Sequence, residues 1–112
     1  MDGIEVLHAP PRIPPAVLEE RIRRYLDGTA VREAWLFGSY AAGTADAWSD
    51  VDLVLVEATD APFVERGMAH LPLLDLGVPV DLIVYTPEEF DRMRREGASF
   101  LAEMIERGRR IH

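Results

Sequence analysis

The chain has no cysteine, no lysine and no apolar run long enough to cross a bilayer. Without cysteine there is no disulfide, no thiolate nucleophile and no zinc–cysteine site. Without lysine there is neither a P-loop lysine nor a Schiff base, and the basic side chains are 12 arginines. Positive charge is also in the minority. The formal net charge is −8 over 112 residues, which argues against a protein that grips nucleic acid by neutralising its phosphates. It does not argue against a nucleotide ligand, because metal ions can bridge two anions. Met1 to Pro15 lacks the basic and apolar regions of a signal peptide. The expectation is a cytoplasmic protein with no membrane contact.

Hydrophobic residues make up 48% of the chain and charged residues 29%, the balance of an ordinary globular domain. No linker, repeat or low-complexity run divides it, so residues 1–112 read as one domain with a proline-rich extended lead-in over 1–14. Val17, Ile22, Tyr25 and Leu26 predict a helix over 16–26, stopped by Gly28. Strands are predicted at 31–37, 51–56 and 80–85. A single helical turn is expected at 39–43, with Ser39 as its N-cap, and a helix at 63–76 despite Gly67 and Pro72. Thr86-Pro87-Glu88-Glu89 is a capping box opening another helix that ends near Gly97. A last amphipathic helix runs from Ser99 to Arg107, closed by Gly108, and the run Arg107-Gly108-Arg109-Arg110 reads as a solvated tail, with the alternative of a basic end that touches an acceptor. The expected fold is α+β (α/β), a small mixed sheet of about three strands flanked by helices.

The chemistry concentrates in Gly38-Ser39-Tyr40-Ala41-Ala42-Gly43 and, after a short gap, Ser49-Asp50-Val51-Asp52-Leu53. Aspartate is depleted in strands because its short polar side chain competes with the backbone ladder. Asp50 and Asp52 nevertheless stand at the start of the apolar run Leu53–Val56, and strand alternation puts both on one face. Asp81 repeats the design at the start of the third strand. Carboxylates crowded together repel by up to about 4 kcal/mol at ~4 Å near a protein surface. Divalent cations remove that cost, and Mg²⁺ prefers hard oxygen ligands. Two ions ~3.5–4 Å apart could clamp the attacking and leaving oxygens of a phosphoryl displacement, with Asp81 as third ligand or as base. Gly38 lets a backbone approach an anion closely and Ser39 opens a helical turn that favours one.

The remaining polar and aromatic residues have plainer readings. Ser49 is a turn residue bracing Asp50, and Asp46 is a solvated loop residue. Trp35 and Phe37 are core. Tyr40 and Trp48 are each open to a ligand-facing or an exposed position. His8, His70 and His112 are too scattered to form a metal set.

Gly38-Ser39 through Asp50-Val51-Asp52-Leu53, with Asp81 further on, resembles the minimal nucleotidyltransferase domain of the DNA polymerase β-type superfamily. Tyr85-Thr86-Pro87-Glu88-Glu89-Phe90 and the stretch from Phe100 to Gly108 extend the likeness to the end of the chain. The resemblance implies a polymerase β palm-like fold and transfer of NMP, most plausibly AMP from ATP. It implies two Mg²⁺ ions, Mn²⁺ being an alternative, on Asp50, Asp52 and Asp81, with Gly38 and Ser39 on the β and γ phosphates. It also implies a HEPN-domain toxin as partner, for which such minimal proteins act as antitoxins. One departure stands out: Ala42 occupies the place where the family usually carries Arg. That removes a phosphate contact worth about 1.5–3 kcal/mol, which Arg32, Arg66, Arg92 or Arg94 could replace.

Two functional expectations follow. One is an enzyme that modifies a hydroxyl on its HEPN partner. The other is a non-catalytic antitoxin that neutralises the partner by contact and keeps a vestigial site.

Overall fold

The structure, a computed structural model, describes residues 9–112. Most of the predicted lead-in, and His8, lie outside the described residues. The elements are α1 (Pro15–Leu26), β1 (Glu33–Phe37), the single turn α2 (Ser39–Ala42), β2 (Val51–Val56), a 3₁₀ segment (Phe63–Leu74), β3 (Val80–Tyr85), α3 (Pro87–Arg95), α4 (Ser99–Arg107) and the short β4 (Arg109–Arg110). The fold is α+β, with one mixed sheet in the order β3-β2-β1-β4.

β2 is the central strand because five of its six residues are apolar and buried, and only Asp52 is polar. It runs antiparallel to β1, pairing Phe37 with Asp52. It runs parallel to β3, pairing Asp52 with Asp81. The first pairing brings the end of β1 to the start of β2. The second brings the start of β3 there too. Three separate segments, led by Gly38, Asp52 and Asp81, therefore share one rim of the sheet.

Alternation sorts the two faces. Leu53 and Leu55 point to a core with Leu18, Ile22 and Leu26 of α1 and Leu73 of the 3₁₀ segment. Val54 and Val56 point to a second core with Phe90 of α3 and Leu101 and Met104 of α4. Asp52 has the parity of Val54 and Val56, so it lies on the side that α3 and α4 cover.

Two elements differ from expectation. The predicted helix over 63–76 is a 3₁₀ segment broken at His70, whose φ of −126° and ψ of 39° are not helical. Pro72 is the physical reason: it has no N–H to donate and its ring crowds the preceding turn. The predicted solvated tail is instead a fourth strand, with Leu36 opposite Arg109 and Trp35 opposite Arg110. Ile111 anchors it, 5% exposed, and donates its N–H to Ala34 O at 2.8 Å. Gly108 permits the approach, since a Cβ there would meet the Leu36 carbonyl oxygen at 3.1 Å. No described helix is long and apolar enough to cross a membrane.

Candidate active site

Gly38 makes the rim possible. It follows Phe37 with φ 73° and ψ −153°, a conformation that side chains with a Cβ avoid. A Cβ at this position would also collide with the Asp52 carboxylate. The glycine and the aspartate therefore specify each other: one leaves the space that the other fills. Gly38, rather than Ser39, is the N-cap of α2, and no side chain caps that turn. Ser39 is the first helical residue, with its hydroxyl outside the capping role expected of it. Gly43 ends the turn in the left-handed conformation at φ 77°.

Asp52 and Asp81 occupy register-matched positions on neighbouring parallel strands. Burial pushes the Asp52 carboxyl above its ordinary value, and the Asp81 charge, a hydrogen bond shared with Asp81, and the Asp50 charge push it further the same way. Asp81 itself is exposed, as is Asp50, which precedes β2. The inner pair is thus Asp52 with Asp81, and Asp50 acts on it from further out.

The pair suits a hard divalent cation. Mg²⁺ commonly takes one or two protein carboxylates and completes its shell with water and substrate phosphates. Among the described residues no three acidic or histidine side chains converge as a ready-made cage. Part of the shell would therefore come from the substrate.

Beside the pair lies a cleft of about 550 Å³. Phe37, Gly38, Ser39, Ala42, Thr44 and Asp52 form one wall. Phe100, Glu103, Met104, Arg107 and Gly108 form the other. The second wall is one face of α4, at spacing i, i+3, i+4, i+7. The Phe37 and Phe100 rings meet edge to face at 5.7 Å and close the apolar part of the cleft. The stripe was visible in the sequence as half of an amphipathic helix, but the sequence carries no sign of which rim that face would meet.

Other expected participants lie elsewhere. Tyr40 is neither exposed nor ligand-facing. It is buried at 3% exposure within the α1-side core. Its hydroxyl has no hydrogen-bond partner among the described residues, and burial raises its pKa. Trp48 is 61% exposed and does not line the cleft. Asp46 is more than a solvated loop residue. Its carboxylate accepts from Trp48 N at 2.9 Å and from Ser49 Oγ at 3.1 Å, while Ser49 Oγ accepts from Asp46 N at 2.9 Å. Ser49 thus braces the loop that delivers Asp50.

None of the four arginines expected to stand in for Ala42 lines the cleft; Arg107 does. Arg66 is engaged elsewhere, with Glu89 at 2.6 Å, Val84 O at 3.0 Å and Ala61 O at 3.0 Å.

Comparison with known proteins bears on the family and the fold. Residues 16–112 match the family described as nucleotidyltransferase domain. A candidate protein adenylyltransferase of Methanocaldococcus jannaschii is 33% identical over 73% of this chain and 79% of its own length. Among solved structures, a chain of a toxin–antitoxin complex with AMP-PNP superposes with a TM-score of 0.59 at 23% identity, over 84% of this chain and 72% of that one. A chain from a complex of tri-AMPylated Shewanella oneidensis HEPN toxin with MNT antitoxin gives 0.56 at 19% identity, over 88% and 72%. At such identities these two likenesses establish the fold. With the match over 16–112 and the adenylyltransferase relative, they lead to one assignment: this chain belongs to the nucleotidyltransferase domain family.

Proposed function

We propose that this protein moves AMP from ATP onto a hydroxyl of a HEPN-type partner protein, as the antitoxin of a toxin–antitoxin pair. The observation that carries the proposal is the Asp52–Asp81 pair, register-matched on neighbouring strands, with Asp52 lining a cleft that Gly38 and Ser39 also line. Like charges are placed together at a cost, and a nucleotide arriving with its cations relieves it.

In the proposed step the acceptor oxygen attacks the α-phosphorus, the bond to the β-phosphate bridging oxygen breaks, and pyrophosphate leaves. Asp52 and Asp81, with Asp50 further out, would hold Mg²⁺ (or Mn²⁺), which neutralises the phosphates and polarises the acceptor. Asp81, which is exposed, would take the acceptor proton from a partner docked at the rim. In this reading Ser39 and the Gly38 backbone, which line the cleft, would contact the phosphates. Phe37, Phe100 and Met104 give the same cleft an apolar lining beside these polar groups.

The test is transfer of label from α-labelled ATP to the partner in Mg²⁺. Label should appear on the partner with the wild type and be lost with Asp52→Asn. An unlabelled partner, or equal labelling by the variant, would overturn the proposal.

A second reading rests on the 3₁₀ segment, which exposes Val64 (87%), Met68 (69%) and Leu71 (57%). Apolar side chains so exposed suit a partner surface, and contact alone could then neutralise a toxin. An Asp50→Ala/Asp52→Ala variant that still neutralises in cells would favour this reading.

A further inference from the structure

Resting on the nucleotide reading above, we propose that Arg107 is the residue that grips the substrate's phosphates, with Glu103 as its counterion until the substrate binds. The cleft is acidic. Asp52 lines it, Asp81 adjoins Asp52, and Glu103 stands on the opposite wall. A triphosphate brings about four more negative charges, and a charge-assisted donor on the protein would hold it more strongly than a neutral one. Arg107 is the cationic side chain among the cleft's lining residues.

Other arginines are occupied in the fold. Arg66 is fixed to Glu89 and two carbonyls. Arg23 and Arg109 share Glu19 at 2.7 Å each. Arg110 faces Glu33 at 3.7 Å, and Arg94 stacks over Phe90 at 5.2 Å. Arg107 differs from these. It meets Glu103 at 3.5 Å, with side chains 78% and 66% exposed. A pair so open to water is held weakly, so the guanidinium can leave it for a phosphate at little cost. Its fork of donors matches phosphate oxygens, and a bidentate grip also fixes orientation.

Ala42 fits the same arrangement. Its methyl group lines the cleft together with Arg107 and leaves space that the guanidinium can enter. The cation that the motif segment lacks is supplied by the last helix. The alternative role for Arg107 is structural, as a basic residue at a helix C-terminus. That role would not affect ligand binding.

The experiment is calorimetric titration with ATP and with inorganic tripolyphosphate, each in Mg²⁺. The proteins are the wild type, Arg107→Ala, Glu103→Gln, Arg107→Ala/Ala42→Arg and Asp52→Asn, with circular dichroism to confirm that each is folded. Arg107→Ala should weaken both ligands about tenfold or more. Glu103→Gln should tighten both several-fold by freeing the guanidinium. Adding Ala42→Arg should restore much of the loss. Unchanged ATP binding by Arg107→Ala, alongside a loss with Asp52→Asn, would overturn the role of Arg107 and leave the nucleotide reading standing. A loss for ATP but not for tripolyphosphate would also overturn it, because the contact would then be to the nucleoside. A wild type that binds neither ligand would remove both proposals.

Discussion

At the start of β2 the Asp52 carboxyl faces Asp81; burial raises its pKa, and the charges that raise it further, those of Asp81 and Asp50, have its own sign. At the other end of the same strand Glu57 is treated in the opposite way. Its carboxylate accepts from His70 Nε2 at 2.7 Å, and His70 Nδ1 lies 2.7 Å from the Tyr25 hydroxyl. A carboxylate can only accept, so Nε2 carries the ring proton, and in the neutral ring Nδ1 then accepts from Tyr25. Beyond β3, Glu89 takes both arms of Arg66 and the Thr86 N–H, and these hydrogen bonds hold its carboxyl below the ordinary value. One sheet therefore has a rim where acids are satisfied by the protein and a rim where they are left for something else. The first kind fixes the fold. The second kind leaves like charges together, as the proposed cation-dependent site requires.

The largest effects should come from exchanging these treatments. Asp52→Asn should lower AMP transfer by about 10²–10³-fold, the usual loss when one preorganised electrostatic group is removed. In chelator and at neutral pH the same variant should melt at or above the wild-type temperature, since a like charge is gone. Steady-state transfer and thermal melting check both signs. A variant that loses activity and also melts well below the wild type would show that Asp52 supports the fold and that the two rims are alike.

Arg66→Ala should do the reverse. Arg66 is 9% exposed and Glu89 30%. The expected cost is about 2–3 kcal/mol, somewhat under that of a wholly buried pair because Glu89 keeps part of its solvation. The melting temperature should fall by roughly 10 °C or more. In a double-mutant cycle, Arg66→Ala/Glu89→Ala should cost clearly less than the sum of the single changes, since neither partner is left stranded. Strict additivity would contradict the coupling.

Acid should separate the rims by sign. Glu89 is held below its ordinary value of 4.5. Its stabilisation is therefore complete above about pH 4.5 and is lost as the pH falls through the lower, folded-state value. The melting gap between wild type and Glu89→Gln should close on acidification. Asp52 is raised above 3.8, so its charged form opposes folding at neutral pH and that cost disappears below pH 3.8. In chelator, Asp52→Asn should exceed the wild type at neutral pH and converge with it in acid from the other side. Gaps of the same sign for both variants would collapse the distinction.

The sequence made the two apolar strands plain. Leu53–Val56 and Leu82–Val84 are continuous runs, as strands covered on both faces require. The Thr86–Glu89 capping box was equally legible, and both of its hydrogen bonds form. What could not be read was which elements meet. The neighbourhood of Asp52 and Asp81 depends on β2 and β3 pairing in parallel and in register, a tertiary choice. β4 was hidden because an edge strand of two arginines pairs through its backbone, and Ile111 was its one apolar signal. Arg66 and Arg107 look interchangeable as letters. Burial beside Glu89 separates them: one is bound into the scaffold and the other is left at the cleft.

The smallest expected effect tests whether the satisfied rim is insulated from the open one. Tyr25→Phe removes the hydroxyl that serves His70 Nδ1. His70 is 3% exposed, so water cannot readily replace the lost donor, and the orphaned acceptor should cost about 1 kcal/mol. The melting temperature should drop by roughly 4–6 °C. AMP transfer at a temperature where the variant is fully folded should not change, because the Tyr25–His70–Glu57 chain ends at the far end of β2 from Asp52. A fall in transfer without a fall in stability would mean that β2 carries strain from one end to the other, and the two rims would then have to be treated as one coupled device.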